Sequence, residues 1–202
     1  MCEAYANQTV LPDEITISLS GCKHVDNSYI NDVTETKWPF PVRFIYSDTE
    51  KSESINRNLA AKIAKGDLLI CHDADDLPHP QRVEVIKYFF ENYNIVHLLH
   101  GCIHSKINFE KIENLGNIPW YNLSSIGETF SVGFTLVNGP CAVLRSTWNE
   151  FKWDNSVVSV GSDIRFNSTI YEKHSNTIVI DALIYQYVWS KHSIYHNKIK
   201  ST

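Results

Sequence analysis

Three carboxylates that follow a short apolar run are the residues best suited to do chemistry. Segment 67–80 has the sequence DLLICHDADDLPHP, in which the apolar run predicts a buried strand that ends at Asp73, Asp75 and Asp76. If the backbone stays extended past His72, Asp73 and Asp75 point to the same side. At about 4 Å two carboxylates repel by roughly 1 kcal/mol in water and about 4 kcal/mol at an effective dielectric near 20. This pair therefore favours a bound cation or a raised pKa.

Oxygen ligands of this kind suit Mg²⁺ or Mn²⁺, which keep coordination positions open for the oxygens of a phosphorylated substrate. The alternative interpretation is a solvated acidic turn that caps the next helix. A buried strand before the acidic residues and a helix start near Pro80 favour the metal site.

Composition limits the function classes. The chain has 202 residues with 43% hydrophobic content, which fits one domain with a sizeable core. A net charge of −5 without a basic run argues against general binding to nucleic acid or to an anionic membrane. The apolar runs are too short for a transmembrane segment, and residues 1–20 lack the pattern of a secretion signal. Five cysteines without C-x-x-C spacing indicate reduced thiols, so we expect a cytoplasmic protein.

The hydrophobic pattern predicts strands that alternate with helices. We expect strands at 14–20, 42–46, 68–71, 94–100, 141–144 and 177–180, and helices after residue 50, after Pro80, at 146–151 and at 164–171. Ser47 and Glu50 have the spacing of a capping box, and Gly66 lies where a C-terminal cap belongs. The second and third strands with the helix between them predict a βαβ unit and a parallel pair, with ligands beyond the carboxyl ends. Histidines at 97, 100 and 104 indicate a polar strand edge, with a metal site as the alternative.

Several segments together resemble one enzyme family. The run NRNLAAKIAKGD at 56–67, followed by the strand and DADD at 73–76, resembles the core of GT-A fold glycosyltransferases of the family 2 type. Three weaker segments resemble the family in the right order: QT with LPDEI at 8–15, Gly139 to Arg145, and GSD at 161–163. The resemblance implies an α/β fold with a single Rossmann-like GT-A domain and a mostly parallel mixed sheet flanked by helices. Residues 1 to about 76 would bind the nucleotide-sugar, and residues from about 77 to 202 the acceptor.

The resemblance also implies a reaction. Such enzymes move a sugar from a nucleotide-diphospho-sugar, here most simply a UDP- or GDP-sugar, to a hydroxyl of a glycan or another acceptor. The carboxylates of the D-x-D segment hold Mn²⁺ or Mg²⁺ on the donor diphosphate. We expect Asp75 to be the direct metal ligand and Asp73 to contact the metal through water or to contact the donor ribose. Asp76 would orient the loop or the sugar.

Four further residues complete the predicted site. Asp163 occupies the place of the family's general base, with a simple helix cap as the alternative, and base-activated attack implies inversion at the anomeric carbon. Arg57 is a candidate for nucleotide contact, with a surface ion pair as the alternative. Ser20 ends the second family strand, where many members have Asp-Asp-x-Ser for base and ribose contact. His192, a better candidate than His196, would complete the metal shell unless it is a surface residue of the tail.

The chain departs from the family at its start. Met1 falls inside the helix that ends at Gln8 and Thr9, so the first family strand, which is central in the sheet, is expected to be missing. Either the chain is a fragment or something else fills the gap. Two facing sheet edges would then be unpaired, which favours oligomers or strand donation.

Two other classes of function fit parts of the pattern. The sequence LLICHDAD could be the nucleophile strand of a haloacid-dehalogenase-like phosphohydrolase, in which the first aspartate attacks phosphorus. That motif normally opens its domain, whereas some 70 residues precede it here. The missing strand also fits a non-catalytic carbohydrate- or nucleotide-binding module.

Overall fold

The computed structural model describes residues 1–21, 27–103, 108–122, 140–156 and 161–188, with backbone only for 27–30. The helices in these ranges are α1 (Cys2–Ala6), α2 (Asn27–Glu35), α3 (Glu53–Ile63), α4 (Arg82–Asn92), α5 (Arg145–Phe151), α6 (Ser162–Lys173) and a short 3-10 helix at Leu115–Asn117. The strands are β1 (Ile15–Ser20), β2 (Val42–Ser47), β3 (Leu68–Ile70), β4 (Leu77–Pro78), β5 (His97–Ile103), β6 (Trp120–Asn122), β7 (Cys141–Leu144) and β8 (Thr177–Gln186). A further strand expected from the sequence at 129–137 lies outside the described residues.

The strands form two sheets. β1 and β2 form a parallel pair, with Ile15 opposite Val42, and α2 lies between them in the chain. The larger sheet has the order β3-β7-β5-β8-β4, with β6 also on β8. In this sheet β5 and β8 are parallel and the other pairs are antiparallel. The larger sheet is thus mixed and flanked by helices as expected. In the two sheets together, antiparallel strand pairs outnumber parallel ones.

The predicted pairing between the second and third strands is wrong. β2 pairs with β1, whereas β3 pairs with β7 through Leu69 opposite Val143. The parallel βαβ unit is therefore β1-α2-β2, in which α2 lies between the two strands in the chain. Helix α3 instead crosses from one sheet to the other and contacts β1 and β2.

The core lies on both faces of the larger sheet. On one face Val85, Ile86 and Phe89 of α4 are fully buried against Leu98 and Ile178 of the central strands. On the opposite face the buried residues include Trp148, Trp153, Phe166, Ile170 and Val179. Because β5 is covered on both faces, all of its residues except Ile103 are buried.

Two predicted helix caps are also wrong. The N-cap of α3 is Ser52, whose Oγ accepts from the N–H of Ile55 at 3.5 Å, whereas the Ser47 hydroxyl donates to the carbonyl of Thr49 at 2.8 Å. The helix ends at Ala64 in an extended conformation, so no left-handed glycine is required there. The N–H of Gly66 instead donates to Oε1 of Glu14 at 2.8 Å, which joins the start of β3 to the start of β1.

A gap separates the two sheets. Within the described residues β1 pairs only with β2, and β3 pairs only with β7, so one edge of each faces the gap. A cavity of about 230 Å³ lies in this gap. It is lined by Ile15 and Thr16 of β1 and by the residues of β3. Tyr5 and Ala61 also line this cavity. The two facing unpaired edges expected from the resemblance are therefore present.

Candidate active site

The acidic segment forms a turn and does not continue the strand. The N–H of Asp76 donates to the carbonyl of Asp73 at 3.1 Å, which closes a turn with Asp75 exposed at its tip. The chain must reverse here because β4 runs antiparallel to β8 immediately afterwards. The predicted extended geometry, with Asp73 and Asp75 side by side on one face, is therefore wrong. Both carboxylates still lie on one short turn after β3.

Asp76 is the buried member of the acidic group. Its residue is 1% exposed, and Oδ1 accepts from the N–H of Val188 at 2.8 Å. Burial raises the pKa of Asp76 to about 6. The negative charges of Asp73 and Asp75 also raise this pKa, whereas the hydrogen bond from Val188 lowers it. The carboxylate thus fixes the turn against the segment that follows β8.

Arg57 joins the turn to the start of α6. From the middle of α3 its Nη2 contacts Oδ1 of Asp73 at 2.6 Å, and its Nη1 forms an ion pair with Oδ1 of Asp163. Nη1 also lies 2.5 Å from Glu53, one helical turn earlier. Burial disfavours the charged guanidinium, but Asp73 and Glu53 more than offset that effect and raise the pKa of Arg57. The predicted surface ion pair is thus a buried one, since the side chain is 11% exposed.

Asp163 is the second residue of α6. Its side chain is 18% exposed and lies in the first turn, where the positive end of the helix favours a carboxylate. The N-cap is Gly161, with φ at 108°, and no side chain caps the helix. The expectation that Ser162 or Asp163 caps α6 is therefore wrong, because a left-handed glycine makes the entry turn. The Asp163 carboxylate points to Arg57 instead.

The remaining predicted residues fall into two groups. Ser20 ends β1, where its hydroxyl oxygen accepts from the side-chain amide of Asn56 at 3.0 Å and from the N–H of Lys51 at 3.2 Å. This contact ties β1 to the start of α3. His192 and His196 lie outside the described residues. In the described ranges no three His, Cys, Asp or Glu side chains converge as a metal site.

The donor set of the turn nevertheless fits a hard divalent cation. Asp73 and Asp75 offer carboxylate oxygens, and Asp75 is exposed. Mg²⁺ and similar ions are commonly bound through one or two carboxylates, with water and substrate phosphates in the other positions. Two carboxylates on an accessible turn therefore meet the protein's share of such a site.

His97 and His100 are core residues, and the predicted polar strand edge is wrong. β5 lies between β7 and β8, so both rings are buried. Nε2 of His97 lies 3.1 Å from Oδ1 of Asn167, and burial lowers the pKa of His97 to about 4. Burial also lowers the pKa of His100 to about 3, with Arg82 acting in the same direction. His104 is outside the described residues.

A buried polar group behind the turn was missed by the sequence analysis. Arg82 is fully buried, donates to the hydroxyl of Tyr5 at 2.7 Å and to the carbonyl of Cys71 at 2.9 Å, and lies 5.0 Å from the ring centre of Tyr185. The hydroxyl of Tyr185 in turn accepts from the N–H of Asp73 at 2.9 Å. No local sequence pattern indicates this group, because its members come from α1, the segment after β3, α4 and β8. The group lies beneath the acidic turn and supports it through the contacts to Cys71 and Asp73.

Two further residues at Arg57 were also missed. Glu53 could have been found from its i, i+4 spacing to Arg57. Trp153 carries no such signal: its ring lies 5.7 Å from the guanidinium carbon and stacks on Phe166 of α6 at 3.8 Å between ring centres. Asn58 fixes the same segment, because its amide donates to the carbonyl of Trp153 at 2.7 Å and accepts from its N–H at 3.1 Å.

Comparison with known families agrees with this geometry. The model of the family described as glycosyl transferase family 2 matches residues 3–146, which include β1, α3 and the acidic turn. The chain belongs to glycosyl transferase family 2. A curated relative, an uncharacterized glycosyltransferase of Haemophilus influenzae, is 35% identical over 77 residues, which are 38% of this chain and 26% of that protein.

Solved structures show the same fold. A structure of S. aureus TarS 1-349 in complex with UDP-GlcNAc has a TM-score of 0.67 at 13% identity, over 96% of this chain and 55% of that one. The mannosyltransferase PcManGT from Pyrobaculum calidifontis, in complex with GDP-Man and Mn²⁺, has a TM-score of 0.66 at 13% identity, over 98% of this chain and 55% of that one. The chain thus spans about half the length of these proteins and about a quarter of the curated relative.

Two expectations about the chain's environment can be compared with the structure. Cys2, Cys71, Cys102 and Cys141 are free cysteines, and the reduced state expected from their number and spacing stays a prediction. In the described ranges no helix is long and apolar enough to span a membrane.

Proposed function

We propose that this protein is a metal-dependent glycosyltransferase that moves a sugar from a nucleotide-diphospho-sugar to an acceptor hydroxyl with inversion. The observation that carries the proposal is the meeting of Asp73, on the turn after β3, with Asp163, at the start of α6, on the single guanidinium of Arg57. One carboxylate suits the donor's metal, and the other suits proton removal from an acceptor. Membership of family 2 and the UDP-GlcNAc, GDP-Man and Mn²⁺ complexes of similar folds support it.

The acidic turn is assigned to the donor. Asp75, exposed at the tip, would bind Mn²⁺ or Mg²⁺ directly, and Asp73 would contact the metal through water or contact the donor ribose. A divalent cation at this place would neutralise the negative charge that develops on the departing diphosphate. Asp76 fixes the turn from beneath through Val188. His192 is retained as the residue that completes the metal shell, and Ser20 as a nucleotide contact at the end of β1.

Asp163 is assigned to the acceptor as general base. The attacking hydroxyl must lose its proton as the bond to the anomeric carbon forms, so the base must lie within hydrogen-bond reach of that hydroxyl. Displacement from the face opposite the leaving diphosphate inverts the anomeric centre. The donor part would then comprise residues 1 to about 76 and the acceptor part residues from about 77 to 202. A UDP- or GDP-sugar, a glycan acceptor and a cytoplasmic location belong to the same proposal.

Donor hydrolysis tests the proposal without knowledge of the acceptor. Purified protein with Mn²⁺ and UDP- or GDP-sugars should release free sugar, with the anomeric configuration inverted when observed by NMR. Asp163→Asn keeps the shape of the side chain, and we expect it to reduce turnover by about 100-fold or more while nucleotide binding changes by only a few fold. Release of inorganic phosphate would indicate a phosphohydrolase, and binding without turnover a non-catalytic module. Full turnover in Asp163→Asn, or a retained configuration, would contradict the assignment of the base.

A further inference from the structure

Arg57 has an arrangement that neither a surface ion pair nor a simple nucleotide contact explains. Its guanidinium contacts the carboxylates of Glu53, Asp73 and Asp163, which come from three different segments of the chain. A planar guanidinium presents its N–H donors in a fixed fork, so carboxylates bound to its two ends are held at a fixed separation. Arg57 therefore sets the spacing between the donor-side and acceptor-side carboxylates.

Arg57 pairs with both site carboxylates, whereas the backbone of the acidic turn is held by other contacts. The backbone of Asp73 is anchored without it, since its N–H donates to Tyr185 at 2.9 Å and its carbonyl accepts from Asp76 at 3.1 Å. For the Asp163 carboxylate, Arg57 is the ion-pair partner that the described residues provide. Loss of the guanidinium should therefore leave the acidic turn in place and allow the Asp163 carboxylate to change its orientation.

Arg57 is itself held rigidly relative to α6. Its guanidinium lies over the ring of Trp153, and that ring stacks on Phe166, three residues after Asp163 on the same helix. Asn58, the next residue of α3, holds the backbone of Trp153 through two hydrogen bonds. The base and the arginine that contacts it are thus parts of one packed unit.

We propose that Arg57 is a positioning residue that aims the Asp163 carboxylate at the acceptor hydroxyl and acts on the reaction through Asp163. This inference rests on the proposed function, because it assigns Arg57 a task in the same reaction. It differs from the nucleotide contact predicted from sequence, which would act through donor binding. Misplacement of a reacting group by about 1 Å can lower a rate by about 100-fold.

A double-mutant cycle on donor hydrolysis tests this inference. We expect Arg57→Met to lower kcat by about 10- to 100-fold while KM for the donor changes by less than about threefold. In an Asp163→Asn background the same substitution should change kcat by less than about twofold, because the group through which Arg57 acts is already gone. Arg57→Lys keeps the charge without the planar fork and should recover part of the rate. Lys62→Met is the matched control, because it removes a positive charge from the exposed end of the same helix, and it should leave kcat unchanged.

The outcomes separate this inference from the proposed function. Equal effects of Arg57→Met in both backgrounds, or a change confined to KM, would overturn the positioning role even if Asp163→Asn behaves as expected. Unchanged hydrolysis in Asp163→Asn would instead refute the base itself. If Arg57→Met fails to fold, Arg57→Lys replaces it in the cycle. The same four proteins also give a cycle in the free energy of unfolding that needs no turnover, and additive effects there would show that the ion pair is not formed.

Discussion

Replacement of Asp76 by asparagine should remove a pH-dependent loss of stability. Burial raises the pKa of Asp76 from 3.8 to about 6 in the folded protein. Between these two values the folded state holds a proton that the unfolded state has released, so stability falls as pH rises. A shift of about 2 units at 1.36 kcal/mol each corresponds to about 3 kcal/mol. Between about pH 4 and pH 7 the free energy of unfolding of the wild type should therefore fall by about 3 kcal/mol relative to that of Asp76→Asn.

Urea unfolding of both proteins in EDTA, at several pH values between 4 and 8, measures this difference. Asparagine keeps an oxygen that can accept from Val188, although its amide adds a buried donor that lowers stability by about 1–3 kcal/mol at every pH. The change of the difference with pH is therefore the diagnostic quantity. Asp75→Asn, at the exposed tip of the same turn, is the control and should have a small effect. A difference between wild type and Asp76→Asn that does not change with pH would refute the reasoning.

Two other predictions concern the segment that follows α3 and the gap between the sheets. Arg145 donates to the carbonyl of Gly66 from Nε at 2.8 Å and from Nη2 at 2.6 Å, so Arg145→Met should lower the free energy of unfolding by about 1–3 kcal/mol; unchanged urea unfolding would contradict this role. Among the described residues, the edges of β1 and β3 that line the gap are unpaired, so the 202 residues alone should form oligomers or be less stable than a version with an apolar strand fused before residue 1. A monodisperse, cooperatively unfolding monomer with a complete sheet, observed by sedimentation and hydrogen exchange, would contradict that prediction.

Local patterns predicted the elements better than their pairing. Alternation in β1, the apolar run of β3 and the helical spacing in α4 correctly indicated each element, because these patterns depend on burial within one segment. Partner choice depends on the whole sheet, so the expected parallel pair of β2 with β3 could not be tested locally. For residues 22–41 the sequence pattern indicated a loop with one helical turn, whereas the structure has the nine-residue helix α2 there.

In the site, too, the sequence predicted the individual residues better than their arrangement in space. The acidic residues, Asp163 and Arg57 were identified from their types, spacing and family resemblance, and the structure brings Asp73 and Asp163 together at Arg57. A turn at the acidic residues was only the alternative to an extended strand, because the reversal is required by antiparallel pairing of β4 with the distant β8. Trp153 was missed for the same reason, since its contacts come from segments far apart in sequence.

The central claim is that the acidic turn holds a divalent cation on a nucleoside diphosphate. Calorimetry with Mn²⁺, with UDP or GDP, and with both together measures it most directly. Because metal and diphosphate neutralise each other's charge, we predict that each raises the affinity of the other by the same factor. This coupling should disappear in Asp75→Ala. Binding of UDP and GDP that is unaffected by EDTA and by Asp75→Ala would contradict the claim.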